Sequence, residues 1–240
     1  MDKWAYAAIA VAEVALFVLV FRIWRQGRTV KVGESVILLV ILSGVVYDNT
    51  LLAFGGQWFG EGQTLEMLSY PRYLLHGLFT PLLIIFCALS ADRFNIPGYR
   101  RRETLTLWGA VTFVAIWFGL IGDLINLEIG PGVTNGLLSY KYVGEAGPPI
   151  AEIATVMSML IIGGAMQRYG RWPWVFVSAL FMFVVALFFI ENGVVANLGE
   201  LVLLSGGAAT AAEAIRRVKI EREERKAQAL REAAGKRAVA

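Results

Sequence analysis

Apolar runs of seventeen or more residues alternate with short polar connections along the whole chain. Each run is long enough to cross a hydrocarbon core about 30 Å thick as an α-helix. Seven spans are predicted, over 4–23, 35–54, 70–90, 105–127, 149–167, 173–190 and 194–215. Only Glu191-Asn192-Gly193, a turn signal, separates the last two. The first run is too long for a signal-peptide core and no small-residue cleavage site follows it, so a retained helix is expected. The connection 128–148 carries enough Gly and Pro to argue against a long helix. Its Leu137, Leu138, Tyr140 and Tyr142 suit a segment lying at the interface or folded over the bundle.

Composition agrees: 57% of the 240 residues are hydrophobic, mean hydropathy is +0.61, and one compact bundle fits the length. The distribution of charge says more than the net value of +3. Nineteen of the 22 Lys and Arg residues fall in the first, third and fifth connections and in the tail after Ile215; Lys3, Arg72 and Lys141 are the exceptions. By the positive-inside rule this alternation predicts an odd number of spans, with the N-terminus outside and the C-terminus in the cytoplasm. The expected fold is an all-α, seven-transmembrane-helix bundle over 1–215 in the plasma membrane. Residues 216–240 form a charged cytoplasmic extension of the last helix.

Polar residues inside apolar sequence are costly in a membrane and mark candidate sites. Most cluster between Gly44 and Pro81, where Tyr47, Asp48 and Asn49 precede Glu61 and Glu66, and Arg72, Tyr73 and the single histidine, His76, follow. Arg72 and His76 are four apart and share a helix face, and Pro81 should kink that helix one turn further in. Asp48 must face the interior, as an acid, a substrate contact or the partner of Arg72. Near the last helix stand Glu191 and Asn192, then Asn197 and Glu200 at i, i+3, a spacing that suits a proton-handling strip or a polar packing seam. Asp123 lies close enough to a helix end to reach the interface, and Glu13 stands alone near the middle of the first span. Asp48, Glu61, Glu66, Asp123, Glu128, Glu145, Glu152 and Glu191 fall in the outer connections or at the outer ends of spans, which favours a one-sided pocket over a path through the membrane.

Trp4, Trp58, Trp108, Trp172 and Trp174 sit near span ends, as an interfacial belt requires, whereas Trp117 and Phe118 lie deeper as candidate cavity-lining aromatics. One cysteine, Cys87, inside an apolar run, excludes a disulfide framework and fits a small buried hydrophobe. A single histidine excludes bis-histidine haem ligation and His-rich zinc sites. No lysine stands between Lys141 and Lys219 to hold retinal on the last helix. Walker A, aspartate-rich diphosphate-binding, G-x-S-x-G and selectivity-filter sequences are absent. No metal, cofactor or nucleic-acid partner is expected.

Two classes of function fit buried acids in an aromatic-rich bundle. A protonated carboxylic acid in an apolar site can start carbocation chemistry, with aromatic faces stabilising the cation and exclusion of water preventing its quenching. Alternatively the same acids relay protons in a coupled transporter, or line a lipid-binding site. In size, span count and the placement of Asp48, Glu61 and Glu191 or Glu200, the chain resembles the membrane-integrated type II terpene cyclases of meroterpenoid pathways. It has Tyr47-Asp48-Asn49 where a Trp-Glu pair marks fungal members. The resemblance implies metal-free, proton-initiated cyclisation of a prenyl chain on a hydrophobic aromatic or indole substrate. Asp48, Glu61, Glu191 and Glu200 would be the catalytic candidates. Tyr47, Asn49, Arg72, Tyr73, His76, Trp117, Phe118, Asp123, Asn192 and Asn197 would support them.

Overall fold

The computed structural model describes residues 2–30, 32–121, 127–134, 136–144, 149–189 and 192–239. Asp123 and Glu191 lie outside the described residues. The chain is a helical bundle: α1 (Asp2–Arg28), α2 (Ser35–Phe59), α3 (Gln63–Phe79), α4 (Leu82–Arg93), α5 (Arg102–Leu120), α6 (Ile150–Gly170), α7 (Trp174–Phe188) and α8 (Gly193–Val239). A two-stranded antiparallel hairpin, β1 (Ile129–Thr134) and β2 (Leu137–Tyr142), stands between α5 and α6. Among the described residues six helical segments, with α3 and α4 counted as one, are long and apolar enough to cross a membrane. The remaining helix, α7, has 15 residues, about 22 Å at 1.5 Å per residue.

The predicted span 70–90 is observed as one segment from Gln63 to Arg93, broken where expected, at Thr80-Pro81. Proline has no N–H to give the carbonyl four residues back, here that of Gly77. Gly77 also marks the contact with α5: a Cβ on Gly119 would lie 2.7 Å from its carbonyl oxygen, so only glycine permits this approach. The extra length at the start of α3 follows from Gln63-Thr64-Leu65-Glu66, good helix formers too polar to register as membrane sequence. Consequently Arg72 and His76 lie further from the start of their helix than the sequence suggests.

Around α4 the core is continuous, with Leu38, Leu42, Leu83, Ile84, Phe86, Cys87, Met159, Ile162 and Leu204 all buried. Side chains from α1, α2, α4, α6 and α8 fill this half of the bundle with apolar volume. Toward the basic end, Arg93 Nε donates to Glu34 Oε1 at 2.5 Å. Arg217 donates to the Gly170 carbonyl at 3.0 Å and lies 4.2 Å above the Phe94 ring, joining α8 to the ends of α4 and α6. α8 continues unbroken past the bundle; from Glu223 to Ala234 every side chain is exposed. Trp4, Trp58 and Trp174 project outward as an interfacial belt requires. Trp172 instead turns inward, donating through Nε1 to Thr210 Oγ1 at 2.9 Å, and Trp108 packs against the core.

Candidate functional site

At the other end α3 packs on α2, α5 and the hairpin and makes almost no contact with α6 or α8. The space left between these helices is a cavity of about 470 Å³, within the range of small-molecule sites. Its polar wall is formed by Asp48, Arg72, Tyr73, His76, Glu152, Asn197 and Glu200, and its apolar wall includes Ile41, Val45, Leu75 and Phe79. Four helices supply the polar residues, and α3 contributes most because Arg72, Tyr73 and His76 fall within a helical turn and a half.

His76 stands between two carboxylates from different helices. Its Nε2 is 3.5 Å from Glu152 Oε1 on α6 and its Nδ1 4.0 Å from Glu200 Oε1 on α8. The first turn of α6 aims Glu152 inward while α8 reaches the same depth two turns after its start. Both carboxylates thus address opposite nitrogens of one imidazole. Such an arrangement can hold, deliver and recover a proton at a single ring.

Asp48 is occupied differently. Its Oδ1 accepts from Arg72 Nε, so the carboxylate and guanidinium of α2 and α3 match each other's charge on the cavity wall. Arg72 Nη1 also donates to the Tyr140 carbonyl at 3.5 Å, and Tyr73 OH donates to the same carbonyl at 3.3 Å. Tyr140 OH in turn donates to the Gly62 carbonyl at 3.2 Å. The hairpin is therefore pinned over the ends of α2 and α3, with Leu51, Leu65 and Tyr140 buried beneath it. Gly56 allows this seat: a Cβ there would be 2.6 Å from the Leu138 carbonyl. Tyr47 lies under the same cover, its OH donating to the Leu68 carbonyl at 2.6 Å.

A second polar group adjoins the cavity from inside. Asn49 Nδ2 donates to Glu13 Oε1 at 2.8 Å, and Asn197 Nδ2 donates to Asn49 Oδ1, tying α1, α2 and α8 together. Glu13 and Asn49 are both 0% exposed, and Glu13 Oε2 has no hydrogen-bond partner among the described residues. Asn197 belongs to both groups, since it also lines the cavity.

Of the candidates from sequence, Asp48, Arg72, Tyr73, His76, Asn197 and Glu200 line this one cavity, and Tyr47 and Asn49 support its walls. Four others serve elsewhere. Glu61 is exposed in the turn between α2 and α3. Asn192 caps α8, its Oδ1 accepting from the Val195 N–H at 3.3 Å. Trp117 is 57% exposed on α5, and Phe118, 45% exposed, lines a separate apolar groove of about 280 Å³ between α5 and α6 with Val114 and Ile150. Glu152 was overlooked because an acid in the first turn of a helix has a sufficient local reason in the helix dipole. A signal existed: Thr155 and Ser158 continue from Glu152 at steps of three, and both are buried.

Among the described residues no group of three or more His, Cys, Asp or Glu side chains is arranged to hold a metal ion. Comparison of the sequence with known protein families and with characterised proteins finds no match to either.

Proposed function

We propose that this chain is an integral membrane terpene cyclase, isomerising a prenyl chain carried on a hydrophobic meroterpenoid substrate by metal-free protonation. The observation that carries this reading is the placement of His76 between Glu152 and Glu200 in a half-apolar cavity inside the bundle. In this reading the His76–Glu152–Glu200 group supplies a proton to an alkene or epoxide of the chain. The π electrons then form the new ring bonds, and the final cation returns a proton to the group, so substrate and product have the same atoms. Ile41, Val45, Leu75 and Phe79 would hold the prenyl chain, and the Asp48–Arg72 pair would receive the polar ring that carries it. Asp48 thereby becomes a binding residue, because its carboxylate is already engaged by the Arg72 guanidinium. Seven crossings with the N-terminus outside and the tail in the cytoplasm place the cavity toward the outer face of the plasma membrane.

A proton-coupled carrier would use the same titratable groups. The apolar cluster around Phe86 and Leu204 speaks against it, since alternating access favours polar positions in both halves. The test is turnover of a panel of prenylated phenols and indoles, with and without a terminal epoxide, by the protein in nanodiscs, read by mass spectrometry. Glu200→Gln and His76→Gln should each lower product formation by roughly 100-fold or more while the protein remains folded. Wild-type turnover in both variants would sink the reading, and proton-coupled uptake of the panel without conversion would establish the carrier instead.

A further inference from the structure

At the basic end of the molecule, far from the cavity chemistry and independent of it, a second cleft of about 220 Å³ lies between α8 and the segment leaving α4. Asp92, Arg93, Asn95 and Arg100 form one wall. Val218, Glu221, Arg222 and Arg225 form the other, spaced to fall on a single face of α8. We propose that this cleft binds the phosphate group of an anionic phospholipid.

The four guanidinium groups of the cleft are held in different ways. Arg93 is matched by Glu34 at 2.5 Å and Arg225 by Glu221 at 2.6 Å. Arg100 reaches Asp92 only at 3.9 Å and donates to Asn95 Oδ1 at 3.2 Å. Arg222 faces no carboxylate at ion-pair distance among the described residues; it donates through Nη1 and Nη2 to the carbonyls of Thr29 and Val30 at 3.3 and 2.7 Å. Those two bonds orient its guanidinium and neutralise none of its charge. The cleft therefore presents a fixed, uncompensated arginine next to Arg100, whose pairing is loose and whose side chain is 66% exposed. Two guanidinium forks on a small cleft match a phosphate, which accepts paired N–H donors with geometric preference over a carboxylate already engaged.

Position selects the source of that phosphate. Ile215 is the last buried residue of the α8 core, and Arg222 follows seven residues later, roughly 10 Å further along the helix. Arg93 is likewise the last residue of the apolar segment Gln63–Arg93. The headgroup layer begins at this depth, and the surrounding Arg25, Arg28 and Arg101 are exposed at the same end. A lipid phosphate can enter from the bilayer with its chains beside α4 and α8, whereas a free anion must compete with that surface.

The experiment is native mass spectrometry of the full chain released from nanodiscs of mixed phosphatidylglycerol and phosphatidylcholine. Wild-type protein should retain phosphatidylglycerol in preference to phosphatidylcholine, and Arg222→Gln or Arg100→Gln should each reduce that preference about five-fold. Arg100→Gln alters a mostly exposed side chain and keeps the test decisive if Arg222→Gln does not fold. Arg25→Gln, on the same end but outside the cleft, should leave the preference unchanged. Equal loss in Arg25→Gln would overturn the cleft in favour of diffuse attraction to the basic face. An unchanged preference in both cleft variants would overturn it outright. Displacement of phosphatidylglycerol by millimolar inorganic phosphate would overturn the lipid assignment in favour of a free anion.

Discussion

The buried triad of Glu13, Asn49 and Asn197 gives a stability prediction with a defined order. Replacing Glu13 by Leu removes the acceptor of the Asn49 Nδ2 bond and leaves that donor unpaired in a site with 0% exposure. An unmet buried donor costs about 1–3 kcal/mol. In a chain of this size that shift amounts to roughly 2–12 °C in Tm. Glu13→Gln keeps the acceptor at nearly the same volume and exchanges one unpartnered polar atom for another, so it should stay within about 1 kcal/mol of wild type. Replacing all three residues by Leu removes every donor and acceptor together and should recover most of the loss in Glu13→Leu, because an apolar set leaves nothing unpaired. Thermal unfolding of the four proteins in one detergent, followed by intrinsic tryptophan fluorescence, measures the order. If Glu13→Gln falls as far as Glu13→Leu, the charge of Glu13 rather than its hydrogen bond holds the helices, and the reasoning fails.

Three further outcomes are expected. Gly119→Ala should destabilise by about 1–3 kcal/mol, since its Cβ would meet the Gly77 carbonyl at 2.7 Å; an unchanged Tm would show that α3 and α5 can separate freely there. The double variant Asp48→Asn with Arg72→Gln should destabilise by less than the sum of the two single losses, the difference being a coupling of about 1–3 kcal/mol in a double-mutant cycle. Additive losses would mean that the pair contributes nothing beyond its separate residues. Single cysteines at Gly62 and Arg101, in a Cys87→Ala background, should react with impermeant reagent from outside and inside respectively, and the reverse pattern would invert the proposed orientation.

The helices were legible in the sequence because lipid-length apolar runs with clustered arginines leave few alternatives. Their ends were less so: α3 gains two turns from residues whose helical preference is clear but whose hydropathy is not. The hairpin was missed for a related reason. Gly and Pro in 128–148 argue against a helix, but the Asn-Gly dipeptide in that sequence is also a hairpin signal, and β1 and β2 pair in register from Ile129 opposite Tyr142 to Thr134 opposite Leu137. For the site, intramembrane polarity identified Asp48, Arg72, His76, Asn197 and Glu200, since nothing but an interior position explains them. It could not say which of them touch. The pairing of Asp48 with Arg72, and of His76 with a carboxylate from α6, depends on how helices far apart in sequence are rotated about their axes. Trp117 and Phe118 show the converse: hydropathy places both in α5 but does not say which groove either one meets, and Phe118 lines an apolar groove between α5 and α6 rather than the cavity around His76.

The uninterrupted course of α8 joins features that have so far stood apart. Glu200 faces the cavity and Arg222 the cleft at the basic end, on one helix and 22 residues apart, about 33 Å. Between them no proline or loop is available to absorb a displacement. If the cleft grips Arg222 as proposed, a displacement of α8 there would be carried along one continuous helix toward Glu200 and its spacing from His76. Lipid composition on one side of the bilayer would then act as a mechanical adjustment of the site on the other.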